Sequence, residues 1–285
     1  MISSHPERTR ERVRLLQAYV RKHLLSANGR FICASYSQCR ASRSAFPFHP
    51  GQMSHVGRHY DLEVDGRAMR IVVLGQEYGQ ARECVDLTGR SEMLARSAAA
   101  GFRGRNPHLK GVTSTLRLLL GRELGADEEG ERLFEGHVFD GCAQVNFLLC
   151  TALTTPRSMD AHGGGRGHSS VAMQRNCAPH FLRTMEILQP TVIVVHGLGL
   201  RRWMANALPL PPAGDTSETV RIAGKPVDLL TFTHPSAGGH SGWWGTTPRT
   251  RYLRETVAPA INAFLARMQS ASEITREPVL PGGAI

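Results

Sequence analysis

Four short apolar segments, each followed by a polar turn, constrain the fold of this chain more than any other feature of its sequence. They lie at residues 69–74, within 138–149, at 191–195 and at 227–233. Helical patterns separate them, at about residues 107–121, 178–189, 199–207 and 248–270. Strands that alternate with helices form parallel sheets with helices on both faces. We therefore predict a single-domain, three-layer α/β/α fold with a central, mostly parallel sheet of four strands.

The ends of the chain have different patterns. Val13, Leu16, Val20 and Leu24 recur at spacings of three and four, which predicts an amphipathic helix that packs on the rest of the protein. We assign residues 1–28 to this helix, 29–268 to the α/β domain and 269–285 to a flexible tail. Residues 27–60 have no clear period and are interpreted as a loop.

Apolar residues form no run of about 18, the length of a membrane span, and the N-terminus turns charged where a signal peptide would be apolar. We therefore expect a soluble, cytoplasmic protein that does not bind membranes, and we expect a monomer. Six dispersed cysteines are too few for a disulfide scaffold. Those that matter for function are expected to be thiols or metal ligands.

Charge indicates the class of partner. The chain has 34 basic and 24 acidic residues, a net charge of +10, and only Lys22, Lys110 and Lys225 are lysines. The planar guanidinium of arginine binds phosphate through two hydrogen bonds, so nucleic acid is the first partner to consider. A genome with biased codon use would explain the preference for arginine, but it would not explain the net charge.

Three strand ends carry polar residues that could take part in catalysis or binding. They are 73–79 (VLGQEYG), 145–150 (VNFLLC) and 233–244 (THPSAGGHSGWW). In parallel sheets, ligands bind beyond the carboxyl ends of the strands, so these segments should converge. Their order resembles the uracil-DNA glycosylase superfamily over about residues 30–265. The iron–sulfur branch of that family is the most similar, on Asn146, Cys150, Cys177-Ala-Pro179, Pro190 and residues 192–197.

The resemblance implies three catalytic or base-reading roles. Base release builds positive charge on the sugar and negative charge on the pyrimidine, so a site must stabilise both. Glu77 would position the attacking water, with Gln76 in that role if the register differs; the alternative is a solvated turn carboxylate. Asn146 would read the edge of a flipped pyrimidine with its amide. His234 would donate to the base O2, although a lone histidine is more often structural.

The resemblance also implies a base pocket and a loop that enters DNA. Tyr78, Gly79 and Leu87 fall at the expected base-binding positions, where Leu87 replaces the usual stacking Phe and Gly79 leaves room beside pyrimidine C5. The residues expected to contact DNA are Ser236, Gly238, Gly239, His240 and Trp243. Trp243 or Trp244 would stack or wedge into the duplex, and core packing is the alternative for this pair.

Four cysteines match the order of the ligands in the iron–sulfur branch: Cys33, Cys39, Cys150 and Cys177. The resemblance therefore implies a 4Fe–4S cluster. The interval between Cys33 and Cys39 is wider than in the family, and the interval from Cys150 to Cys177 is expanded. There are two alternatives: a zinc ion on the same four ligands, or buried cysteines that bind no metal.

The function implied by the resemblance is DNA glycosylase activity: a pyrimidine flipped out of DNA is hydrolysed from its sugar, leaving an abasic site. The base is uracil or a C5-modified cytosine, hydroxymethylated or glucosylated as in foreign DNA, so repair and antiphage defence are both open. Rotation of the Asn146 amide exchanges its donor and acceptor, so this residue does not decide between the bases. The alternative is a non-catalytic nucleic-acid-binding protein on the same fold.

Overall fold

The computed structural model describes residues 1–77, 84–124, 136–153, 167–208, 210–212, 216–239, 242–244 and 251–274, with side chains up to residue 270. Three of the sequence-predicted site residues, Tyr78, Gly79 and His240, lie outside these ranges.

Eight α-helices are present in the described part of the chain. They are α1 (Pro6–His23), α2 (Tyr36–Ala41), α3 (Leu87–Ala99), α4 (Gly101–Gly104), α5 (Pro107–Leu119), α6 (Val171–Leu188), α7 (Leu198–Ala207) and α8 (Ala258–Ile274). A π-helical turn, Leu253–Val257, leads into α8.

Eleven strands are present in the same residues. They are β1 (Ile2–Ser4), β2 (Phe48–His49), β3 (His55–Val56), β4 (Leu62–Val64), β5 (Arg67–Ala68), β6 (Ile71–Gly75), β7 (Cys142–Asn146), β8 (Thr151–Ala152), β9 (Val192–His196), β10 (Ser217–Ile222) and β11 (Lys225–Phe232).

The central sheet has six strands in the order β10-β11-β9-β6-β7-β3. Strand β6 pairs in parallel with β7 and β9, and β9 pairs in parallel with β11. The edge strands β10 and β3 are antiparallel to their neighbours. The prediction of an α/β fold is confirmed, but the sheet is a mixed one of six strands where the sequence predicted four.

The strand that sequence reasoning missed most clearly is β10. Its sequence, SETVRI, buries only Val220 and Ile222, because an edge strand presents one face to solvent. A two-residue turn, Ala223-Gly224, joins it to β11, and both residues have a positive φ, of 49° and 77°. This is the geometry of a tight hairpin, which a search for fully apolar runs does not detect.

Alternating side chains of the central strands enter two separate apolar cores. Val72 and Leu74 of β6 pack with residues of α1, α6 and α7. Ile71 and Val73 of the same strand pack with residues of α3, α5 and α8. Because successive strand residues point to opposite faces, helices cover both faces of the sheet.

The N-terminal helix predicted from its apolar spacing is present as α1, with Leu16 and Val20 buried. It is held to the rest of the protein by an ion pair between Arg12 Nε and the buried Asp61 carboxylate, at 3.0 Å. Arg12 also donates to the backbone oxygen of Ile187, at the end of α6. The helix therefore packs as part of the α/β domain.

Several predicted boundaries need correction. Residues 27–60, interpreted as a loop, contain α2, β2 and β3, and helix α3 was not predicted. Helix α8 continues to Ile274 and so overlaps the first residues of the predicted tail, 269–285, whose flexibility stays a prediction. Among the described helices, none combines the length and apolar character needed to cross a membrane.

Candidate functional site

The ends of the parallel strands lie in one row across the sheet. Gly75 is the register partner of Asn146, and Phe232 is the partner of His196. Leu74 pairs with Val195, which puts His196 beside Gly75. Neighbouring strands are about 4.8 Å apart, so this edge is roughly 14 Å wide from β7 to β11. Glu77 follows β6 by two residues and His234 follows β11 by two, so the structure brings both residues to this edge.

Glu77 lies in a tight, largely buried position beside this row. Its Oε1 accepts a hydrogen bond from Gln76 Nε2 at 2.9 Å. A Cβ atom on Gly167 would lie only 1.6 Å from the same oxygen, so the glycine leaves the space that the carboxyl group occupies. Burial raises the pKa of Glu77 to about 7, against the smaller lowering effects of Gln76 and the Thr151 hydroxyl. Oε2 is buried and makes no hydrogen bond of normal geometry among the described residues, although the Thr151 hydroxyl is near enough to lower the pKa.

Asn146 lies on the neighbouring strand with an unused donor. Its Nδ2 is buried and has no partner in the described part of the chain. A Cβ atom on Gly75 would lie 3.3 Å from Asn146 Oδ1, so the glycine lets the amide lie against the adjacent strand. Buried polar atoms are nearly always hydrogen-bonded, and an exception requires an explanation such as a ligand.

His234 presents a defined donor at the opposite end of the row. The backbone N–H of Ser236 donates to its Nδ1 at 3.1 Å, so the neutral ring carries its proton on Nε2. One face of the ring stacks on His108, with centroids 5.2 Å apart and planes 12° apart. The residue is exposed, yet the partial loss of water around its ring lowers the pKa of His234.

The loop after His234 has buried residues that hold it against the protein and exposed residues on its outer side. Pro235 fits against α5, where a Cβ on Gly111 would lie 2.3 Å from the proline Cγ. Trp243 is only 2% exposed and donates from Nε1 to Thr233 Oγ1 at 2.9 Å. Of the two alternatives that the sequence left open for this pair, the structure places Trp243 in the core. Trp244 is 39% exposed, and its Nε1 donates to the backbone oxygen of Pro235.

Other predicted DNA-contact residues lie at the surface. Ser236, Gly238 and Gly239 are exposed, and Gly239 has a φ of +61°, a left-handed conformation that favours glycine. Leu87 is the first residue of α3 and is 7% exposed within an apolar core. The structure therefore places Leu87 among core residues, and its contact with a base stays a prediction.

The four predicted cysteine ligands share one apolar cluster. Cys39, Cys150 and Cys177 are buried in it, and Cys33 packs against it half-buried. Burial is the main cause that raises the pKa of Cys150, and electrostatic repulsion from the other three thiols raises it further. Within the described ranges, no three His, Cys, Asp or Glu side chains lie together as a metal site.

Three of these sulfur atoms have N–H groups directed at them. Such groups favour the thiolate that a metal ligand must become, and thus oppose the effect of burial on the pKa. The Cys150 sulfur accepts from the Gly51 amide, the Cys177 sulfur from the Leu149 amide, and the Cys39 sulfur from Asn176 Nδ2 at 3.3 Å.

Sequence reasoning missed two histidines at this edge. His196 ends β9 just as His234 follows β11, so the strand-end argument should have included it. His108 is the second residue of α5, and its only sequence signal is the Asn106-Pro107 helix start, which says nothing about the sheet. Its ring contacts those of His234 and His196.

Comparison with models of known protein families gives no match. Curated proteins likewise include no significantly similar sequence.

Proposed function

We propose that this protein is a DNA glycosylase on a three-layer fold like that of uracil-DNA glycosylases. It flips a pyrimidine, uracil or a C5-modified cytosine, out of DNA and hydrolyses the bond between base and sugar. The observation that carries this proposal is a pair of buried atoms on adjacent strand ends, Glu77 Oε2 and Asn146 Nδ2, that make no hydrogen bond of normal geometry within the described residues. A carboxylate acceptor beside an amide donor, with an exposed histidine N–H across the row, matches the demands of base release.

Each group has a separate role in the proposed reaction. The Glu77 carboxylate orients water towards the sugar carbon and stabilises its positive charge as the bond to the base breaks. The Asn146 amide binds the edge of the flipped base through its free N–H and its carbonyl oxygen. His234 Nε2–H donates to the base oxygen as negative charge develops there. Gln76, which donates to Glu77 Oε1, holds the carboxylate in place.

The partner in this proposal is DNA. The net charge of +10 favours a polyanion, and the exposed segment formed by Ser236, Gly238, Gly239 and Trp244 lies directly beside His234. Indole rings stack on bases or wedge between them, so Trp244 takes the role that Trp243 cannot fill from the core. Free cysteines in the described residues suit the reducing cytoplasm, where we place this activity.

The four thiols have the chemistry of 4Fe–4S ligands, since they border one apolar core and three of them accept N–H hydrogen bonds, but no three of them lie together as a metal site in the described residues. Cys33, Cys39, Cys150 and Cys177 would hold it, with zinc as the competing occupant. When bound, the group would supply cross-links between the N-terminal segment, the end of β7 and α6. The catalytic roles of Glu77, Asn146 and His234 do not depend on it.

The proposal is tested by incubating the protein with DNA duplexes and single strands that carry uracil, a thymine mismatch, hydroxymethylcytosine or glucosylated hydroxymethylcytosine. Alkali then cleaves any abasic site. We expect strand breaks with at least one of these bases, and strongly slowed formation of them with the Glu77→Gln protein, which keeps the size of the side chain and loses its charge. Tight binding to DNA without strand breaks on any substrate would favour the binding-only alternative and overturn the proposal.

A further inference from the structure

Three histidine rings meet at the β9–β11 end of the site. His108 stacks on His234, and its ring is edge-on to that of His196, with centroids 5.6 Å apart and an angle of 87°. His196 is 1% exposed, whereas His234 is open to solvent. The half-buried member of the stack, His108, therefore covers one face of the exposed ring.

Hydrogen bonds define which nitrogen carries the proton in two of the rings. Thr115 Oγ1 donates to the Gly111 backbone oxygen at 2.7 Å, so it accepts from His196 Nε2 at 3.3 Å. The Ser236 N–H donates to His234 Nδ1, so a proton added at that nitrogen would break this hydrogen bond. Both rings are thus in the form with the proton on Nε2.

The groups that face His234 oppose a second proton on it. His108 on α5 covers the ring, and burial is the main cause that lowers the pKa of His108 well below the usual value. His196 on β9 is also held neutral, because burial lowers its pKa to about 3. Arg90 of α3 adds positive charge near His108. No described carboxylate is among the groups that shift the pKa of these three histidines.

We propose that His108 is a positioning residue whose ring, stacked on His234, fixes the plane of that ring and keeps it neutral, so that Nε2–H stays available as a donor at the strand-end edge. The use of this arrangement in base release rests on the proposed function. A neutral donor suits that reaction, because its hydrogen bond strengthens only as negative charge appears on the leaving base. A histidine held by Ser236 alone would have both ring faces in water and would protonate more readily.

The test uses the full-length protein with nitrogen-15-labelled histidine, and it reads the two ring nitrogens of His234 by nuclear magnetic resonance between pH 5 and 9. His234→Ala assigns the signals. In the parent protein we expect Nδ1 unprotonated and Nε2 protonated at pH 7. In His108→Leu, which fills the space without a flat ring, the pKa of His234 should rise towards 6.5. His108→Phe, which restores a ring, should keep the titration of the parent.

Three results would overturn the positioning role: a parent His234 with its proton on Nδ1, an unchanged titration in His108→Leu, or an equal shift in His108→Phe. Circular dichroism checks that each variant is folded. If His108→Leu does not fold, the position of the proton on His234 in the parent protein still tests the proposal. All these readouts are made without DNA. Expected spectra without base release would refute the proposed function alone, whereas base release with an unshifted His234 would refute the positioning role alone.

Discussion

Replacement of Glu77 by glutamine should make the folded protein more stable at neutral and alkaline pH. The Glu77 carboxyl group is largely buried, and burial raises its pKa from 4.5 to about 7. The folded state therefore holds a proton that the unfolded chain releases at lower pH. Its contribution to stability is fully present below pH 4.5 and is lost as the pH rises through about 7. Glutamine has the same shape and does not titrate.

The expected difference follows from how far burial moves this pKa. A tenfold change in proton affinity corresponds to about 1.4 kcal/mol. For a pKa that rises from 4.5 to about 7, the free energy of unfolding at pH 8 should differ between Glu77→Gln and the parent by at most about 3 kcal/mol. Because Glu77 keeps some contact with solvent, we expect a difference of about 2–3 kcal/mol. Near pH 4, where the carboxyl group is protonated in both states, the two proteins should differ by less than about 1 kcal/mol.

Urea denaturation at pH 4, 5, 6, 7 and 8 measures the free energy of unfolding of the parent and of Glu77→Gln. The gap between them should open between pH 4.5 and 7. Glu92→Gln is the matched control, because it makes the same substitution at an exposed glutamate on α3. A gap of the same size at every pH, or a Glu77→Gln protein that is less stable at pH 8, would show that Glu77 is not a buried, destabilising carboxylate.

Four other outcomes are expected. Single-turnover base release should rise with pH up to about 7, as Glu77 loses its proton, and the rise should vanish in Glu77→Gln; a flat profile in the parent would count against Glu77. Asn146→Ala should lose about 1–3 kcal/mol of discrimination between bases, measured as the ratio of release rates on DNAs that differ only in the target base. His234→Ala should instead slow the release of every base by a similar factor. The reverse pattern would exchange the roles of the two residues. Protein purified without oxygen should be brown and contain iron, and colourless protein with neither iron nor zinc would exclude a metal on the four cysteines. DNA affinity should fall with salt at a log–log slope of about 0.9 per phosphate contacted, and a flat response would remove DNA as the partner.

The parts of the fold that the sequence predicts are those with a strong local signal. The apolar runs that became β6, β9 and β11, and the spacing of Leu16 and Val20 in α1, depend on burial and period alone. Helix α3 was missed because its first turn, Leu-Thr-Gly-Arg, contains a glycine and its apolar residues are few. Its start is fixed instead by Asp86, whose side chain accepts from the Gly89 N–H at 2.8 Å.

Some residues of the candidate site can be predicted from the local sequence, and others are placed there only by packing between distant segments. Glu77 and Asn146 follow from their places at the ends of apolar strands, because parallel strands end at one edge. No local pattern could show that Trp243 is a core residue or that His108 reaches the site from α5. Both depend on how α5 packs against the end of β11, where Gly111 allows Pro235 to approach.

Two strands at this edge lead into histidine, and their local sequences, Val-Val-His-Gly and Phe-Thr-His-Pro, give no reason to rank one above the other. Their surroundings separate them. His196 is 1% exposed, directs Nε2 at Thr115, and lies edge-on to the Trp243 ring, so its proton is already used inside the protein. His234 is exposed, its Nδ1 is occupied by the Ser236 N–H, and its Nε2 has no hydrogen-bond partner among the described residues. A donor can act on a ligand only if the fold leaves it unused and accessible, and His234 is the histidine of this pair that meets both conditions.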